Sequence, residues 1–319
     1  MRIILVSTGG SIDMKEVIYN IFCFCPDGIH ITHAGIVPHE YDGSDAQKLD
    51  FLQRNLDIDL ASCRLFYDIH PSVLEDNKLT LARYNANLRF GNSFAPFELA
   101  LEALNAPASP LAIVTQVVKG KLQYDIQLSI SEQLRNRHTP NYHIEGVKDL
   151  PDYLDNYMKD DGFHIKKLLN DDHMEPIKLL FNKKHYLSSF KLLMSFIDTI
   201  AYIEFGNKKR VFQDWLDTYS DIQSLGVTSD ELYELRNSLL HMTNLNSHKV
   251  TQGKERRLSI AVCKRGHPTQ YYDNIVYINY TDFLFLFDEA VDKWVDSYNG
   301  SNKQLTFIER YDEVVRDNY

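Results

Sequence analysis

The stretch Thr228-Ser229-Asp230-Glu231-Leu232-Tyr233-Glu234-Leu235-Arg236-Asn237-Ser238-Leu239-Leu240-His241-Met242 decides how the second half of this chain is read. Thr228 followed three residues later by Glu231 is a capping box. The hydroxyl accepts from the Glu231 amide, and the carboxylate reaches back to the Thr228 amide. Val227 and Leu232 stand where a hydrophobic staple places its two apolar residues. A helix therefore starts here. On a wheel of 100° per residue, Leu232, Leu235, Leu239 and Met242 fall within about 80° and form a core stripe. Asn237 lies about 200° from Leu235, with Arg236, Tyr233, Leu240, His241 and Glu234 spread around it. Asn237 and His241 are four apart, so they are neighbours on a regular helix.

The sequence around this helix is helical as well. Residues 186–205 carry apolar side chains at 190, 193, 196, 197, 200 and 203, close to the 3.6-residue period. Gly206-Asn207 ends that helix, the basic run Lys208-Lys209-Arg210 follows, and 211–219 reads as a shorter helix. A strand-like piece, 258–263, comes after a basic loop. A last helix is expected over 282–298, stopped by Asn299-Gly300.

The first half is different in kind. Residues 3–7, 17–25, 29–32 and 111–118 read as strands. Ser44 caps a helix over 44–56, and a second helix covers 96–104. The expected fold class is therefore α+β: a mixed α/β domain over 1–145, a polar bridging segment over 146–175, and a helical bundle with a short strand insertion over 176–319. At 319 residues, with 44% hydrophobic and 24% charged residues, the chain is long enough for two cored domains.

The polar face of the motif helix suits cleavage of RNA without a metal. Arginine offers a planar fork of donors that stays charged and holds a phosphate bidentately. Histidine is the side chain whose ordinary pKa allows proton transfer near neutrality. Asn237 is placed to orient His241 or to bind a phosphate oxygen. In this reading the RNA 2′-hydroxyl attacks the adjacent phosphate, His241 handles a proton, and Arg236 stabilises the charged phosphorane.

The segment Leu235-Arg236-Asn237-Ser238-Leu239-Leu240-His241 resembles the R-x4-6-H signature of the HEPN (higher eukaryotes and prokaryotes nucleotide-binding) superfamily, in which a polar residue often follows the arginine. The resemblance covers about residues 176–300. It implies a compact bundle of about four helices and a metal-independent endoribonuclease with Arg236 and His241 catalytic and Asn237 in support. It also implies a homodimer whose motif helices face each other across a composite site, and a role in bacterial defence or a toxin–antitoxin response. The same family holds members without catalysis, so a nucleotide-binding or dimerisation module is the alternative.

A net charge of −10 argues against a nonspecific nucleic-acid coat, so RNA contact must rest on a local patch. Between 248 and 265 the chain carries Lys249, Lys254, Arg256, Arg257, Lys264 and Arg265 against Glu255 alone. Lys249, Lys254, Arg256 and Arg257 are the expected RNA-binding residues, and Tyr271 and Tyr272 are either stacking partners or, the favoured reading, core or hairpin residues. Arg135, Arg137 and His138 form a second small basic cluster.

In the first half, Thr8-Gly9-Gly10-Ser11 follows a strand and is a possible ligand loop, binding a nucleotide or other activator through its amides. No Gly-Lys-Ser/Thr follows it, so it is not a P-loop. With Ile12 it looks like the opening threonine motif of asparaginases, but no second Gly-Thr-Asp motif accompanies it. The strand-then-Gly/Ser/Thr start is also similar to the CARF sensor domains that precede HEPN nucleases. His30, His33, His39 and His70 tempt a metal reading, but His30 and His33 do not share a strand face and no Cys-x-x-Cys pair occurs. No cofactor or metal is expected. Cys23, Cys25, Cys63 and Cys263 fit a reducing compartment. No signal-like segment or 18-residue apolar run is seen, so a cytoplasmic protein with no membrane partner is expected.

Overall fold

The structure is a computed structural model that describes residues 16–90, 94–107, 110–123, 131–134, 153–154, 156–159, 162–242 and 248–316. The side chains of 131–134, 241–242, 248, 301 and 316 lie outside the described set. The chain divides into two compact units, Met1–Asp152 and Tyr153–Tyr319. The expected bridging segment 146–175 thus falls partly outside the described residues, and its part from Tyr153 onward belongs to the second unit.

In the first unit, β1 (Glu16–Cys25), β2 (His30–Ile31) and β3 (His33–Tyr41) are followed by α1 (Asp45–Arg54), α2 (Leu56–Ser62) and β4 (Leu65–Asp68). Then come β5 (Leu79–Thr80), α3 (Leu81–Arg89), α4 (Glu98–Ala103), β6 (Leu111–Val118), β7 (Lys121–Leu122) and β8 (Ser131–Leu134). The main sheet has the order β4-β3-β1-β6-β7, with β8 also pairing with β6. β1 and β6 run parallel, and β1 pairs with β3 antiparallel. Both faces are covered, which is why β1 and β6 are apolar almost throughout. Tyr19, Ile21 and Cys23 point to one core with Tyr84, Phe97 and Leu101. Ile18 and Phe22 point to the other, with Leu49, Leu52 and Leu56. Ser44 caps α1, as the sequence predicts, and does so through a capping box, but the helix expected over 44–56 breaks at Asn55 and α2 begins at Leu56. Cys23, Cys25 and Cys63 are buried free thiols, and burial pushes the Cys23 thiol well up. The strand expected over 3–7 lies outside the described residues.

The second unit opens with β9 (Met158–Lys159), β10 (Gly162–Phe163) and α5 (Ile165–Leu169), then a π turn over Asn170–Met174. It continues through α6 (Glu175–Asn182), α7 (Tyr186–Phe205), α8 (Val211–Tyr219) and α9 (Ser229–Asn237), followed by α10 (His248–Thr251). The insertion is β11 (Arg257–Ala261), β12 (Gln270–Tyr272) and β13 (Ile275–Asn279), and α11 (Tyr280–Asp296) and α12 (Ser301–Arg316) close the unit. The strand pattern at 258–263 is therefore one of three strands, in the order β11-β13-β12. The helix expected to be last is followed by another: Asn299-Gly300 ends α11 but only turns the chain into α12.

Aromatic packing holds this bundle. Trp215 sits against Trp294 and Phe287, and Phe307 against Trp294 and Tyr311. Glu204, near the end of α7, is partly buried among donors: Tyr219 Oη at 3.0 Å, Trp294 Nε1 at 2.8 Å and Tyr298 Oη at 2.7 Å. Burial alone raises its pKa, but these hydrogen bonds outweigh it and hold the carboxyl below its usual range. Arg310 of α12 donates to the Ile203 and Glu204 carbonyls at 2.6 Å each, closing the end of α7 beside Gly206. No helix among the described residues is long and apolar enough to cross a membrane.

Candidate functional site

The motif helix begins as its sequence requires. Glu231 N donates to Thr228 Oγ1 at 3.2 Å, and Thr228 N donates to Glu231 Oε2 at 2.9 Å. Val227, Leu232, Leu235 and Leu239 are buried, so the core stripe runs where the wheel puts it.

Two departures follow. Glu231 and Glu234 are also buried, although the wheel turns Glu234 outward. The reason is the basic loop and insertion, which fold over that side and supply counter-charges. Arg256 pairs with Glu231 through Nε and through Nη2 at 2.7 Å, and Lys249 reaches Glu234 at 3.3 Å. Burial raises the Glu231 pKa, but the Arg256 and Thr228 hydrogen bonds overcome it and hold the carboxyl below its ordinary value. Arg256 also donates to the Gly226 carbonyl at 2.9 Å and to Tyr271 Oη at 3.2 Å. So two of the four expected RNA-binding residues, Lys249 and Arg256, make ion pairs inside the unit. Lys254 is exposed, and Arg257 lies in β11.

The second departure is at the helix end. Regular α geometry stops at Asn237, and Ser238–Met242 forms a π turn. The 100° wheel does not extend across a turn whose hydrogen bonds run over five residues, so the four-residue neighbourhood of Asn237 and His241 no longer follows from spacing. His241 has its backbone in this turn, and its side chain lies outside the described set.

Arg236 is held from two sides. Its Nε donates to Asp198 Oδ2 at 2.7 Å, and Nη2 lies 2.5 Å from the same oxygen. Nη1 donates to Asn237 Oδ1 at 2.9 Å, and the guanidinium carbon lies 5.9 Å from the Tyr233 ring centre. These contacts fix the plane of the fork while its side chain stays 19% exposed. A fixed plane is what two-pronged recognition of a phosphate requires. Asn237 thus serves the arginine here. Asp198 is the partner of Arg236 that the motif could not reveal, being 38 residues away. Its signal was present in α7, where it is an acid in the middle of a largely apolar helix.

The other candidates stand apart. Thr8, Gly9, Gly10 and Ser11 lie outside the described residues, as do Arg135, Arg137 and His138. His30 binds Asp27, His39 binds Asp59 and His70 binds Ser72. Among the described residues, no group of three or more His, Cys, Asp or Glu is placed to hold a metal. Compared with known proteins, the chain matches no family model, no curated protein and no solved structure.

Proposed function

We propose that the second unit is a metal-independent endoribonuclease of the HEPN type. One observation carries the reading: Arg236, half-buried on a firmly capped helix, is held by Asp198 and Asn237 and is followed at once by a π turn containing His241. Such turns concentrate at functional sites. The 2′-hydroxyl of the substrate attacks the neighbouring phosphorus and the P–O5′ bond breaks. The products are a 2′,3′-cyclic phosphate and a 5′-hydroxyl. His241 carries a proton in this exchange, and Arg236 stabilises the charge that builds on the phosphorane. A second copy completes the site across the two motif helices. The role is bacterial defence or a toxin response, with the first unit taking a nucleotide or protein activator.

The test is incubation of RNA with the full chain in excess EDTA. Wild type yields cyclic-phosphate ends, and His241→Ala and Arg236→Ala do not. A chain that stays monomeric under all conditions defeats the composite site. The Arg236–Asp198 ion pair itself favours a second reading, a noncatalytic nucleotide-binding or dimerisation bundle in which Arg236 only braces two helices. Absence of cleavage across varied RNAs, with and without candidate activators, selects that reading.

A further inference from the structure

The strand insertion beside the motif helix borders an open cleft of about 640 Å3. That volume lies within the range of about 300–1,000 Å3 found for small-ligand sites. One wall is the α10 turn, with Val250 and Thr251, and another is the tip of the β12–β13 hairpin. Asp273 and Asn274 both have positive φ, 49° and 58°, as a tight two-residue turn requires. The hairpin carries Tyr271 and Tyr272, which remain 67% and 75% exposed. Two adjacent aromatic side chains this exposed gain nothing from the unit's own core.

The rest of the lining says what they would meet. Arg256 is committed to Glu231, and its bond to Tyr271 Oη anchors that ring. Arg257 also lines the cleft, and its Nε is buried with no hydrogen-bond partner among the described residues. The formal charges cancel, Arg256 and Arg257 against Glu255 and Asp273. A balanced lining offers little pull on a polyanion. What it offers is aromatic faces beside directional donors and acceptors, the recognition set for a flat base with hydrogen-bonding edges.

We infer that this cleft binds an unpaired nucleobase of single-stranded RNA, stacked on Tyr272 and hydrogen-bonded by Arg257, which share one row of the sheet across Ile275, with Tyr271 at its border. The choice of RNA rests on the endoribonuclease reading, whereas base recognition rests on the cleft. Paired bases are excluded because their faces are already stacked.

The test measures binding apart from cleavage, by fluorescence anisotropy of the full chain with a labelled 2′-O-methyl RNA hexamer, which lacks the attacking hydroxyl. Wild type binds, with weak dependence on salt. The double variant Tyr271→Ala, Tyr272→Ala loses about tenfold or more in affinity, and the matching double phenylalanine variant retains it. Duplex RNA of the same sequence binds no better to wild type than to the alanine variant. The inference is overturned if wild type does not bind the hexamer, if the alanine variant binds as well, or if phenylalanine fails as badly as alanine. Binding without any cleavage of ordinary RNA defeats the nuclease reading and leaves the cleft standing. Cleavage with unchanged hexamer affinity in the alanine variant does the reverse.

Discussion

The two ends of the motif helix use the same ion-pair chemistry to opposite purposes. At the start, a carboxylate belonging to the helix, Glu231, is buried and an arginine from the loop just before β11, Arg256, comes to it. At the end, an arginine belonging to the helix, Arg236, is met by a carboxylate from α7. The first pair carries a capping box, one carbonyl contact, one hydroxyl contact and a buried acid, so it locks where the helix begins. The second pair sits at 19% and 29% exposure, just before the helix leaves α geometry. A charge count along the sequence sees two arginines near acids. Burial separates the acids, not the arginines: Glu231 is 5% exposed and Asp198 29%, whereas Arg256 at 43% is the more open of the two cations.

The sharpest way to break this contrast is by activity. Arg236→Ala and His241→Ala are each expected to lower cleavage at least about 100-fold, while Arg256→Ala retains cleavage per folded molecule. Equal loss in Arg256→Ala with the fold intact would erase the distinction. The next effect is on stability. Arg256→Ala leaves Glu231 buried without its counter-charge, and urea unfolding should show a loss of about 2 kcal/mol. This is below the value for fully buried pairs, because the arginine is partly exposed. The difference should depend on pH. Glu231 is held below its ordinary pKa, so its contribution is complete above the unfolded carboxylate pKa and is lost as pH falls through the folded value. Melting temperatures of wild type and Arg256→Ala should therefore converge in acid. A gap that widens as pH falls contradicts the assigned pair.

Smaller again is Asp198→Asn. It keeps the shape but weakens the hold on Arg236. Cleavage should fall about tenfold, the size of one lost charge-assisted hydrogen bond, with the pH profile unmoved. A rate equal to wild type makes Asp198 a bystander. The least effect is Thr228→Ala, about 1 kcal/mol of stability from one lost cap, with Thr228→Ser close to wild type. Differential scanning calorimetry reads it.

Local rules carried much of this structure. α7 and α8 start and end where periodicity and Gly206 place them, and the Thr228 and Ser44 caps are both present. β6 spans the apolar run 111–118 because both faces of its sheet are covered. What stayed hidden depends on distance or on hydrogen-bond register. Lys249 and Arg256 read as a free basic patch because their partners, Glu234 and Glu231, come much earlier in the chain, and a wheel turns Glu234 outward. Asp198 is invisible to any motif confined to one helix. The π turn leaves no trace in hydrophobic spacing, since Leu239 is buried just as a regular helix would have it. α12 was hidden by Asn299-Gly300, which marks a turn and not the end of helical chain.

That π turn has a further use as a ruler. Five residues, Ser238–Met242, occupy a turn that a regular helix spans with about 3.6. Deleting one of them, Leu240 for example, allows the helix to regain α spacing with the chain beyond it in nearly its former phase, because the wider turn absorbs the extra residue. Inserting an alanine instead widens the bulge. A variant one residue shorter thus removes the wide turn itself while leaving the direction of the following chain nearly unchanged, with neither Arg236 nor His241 replaced.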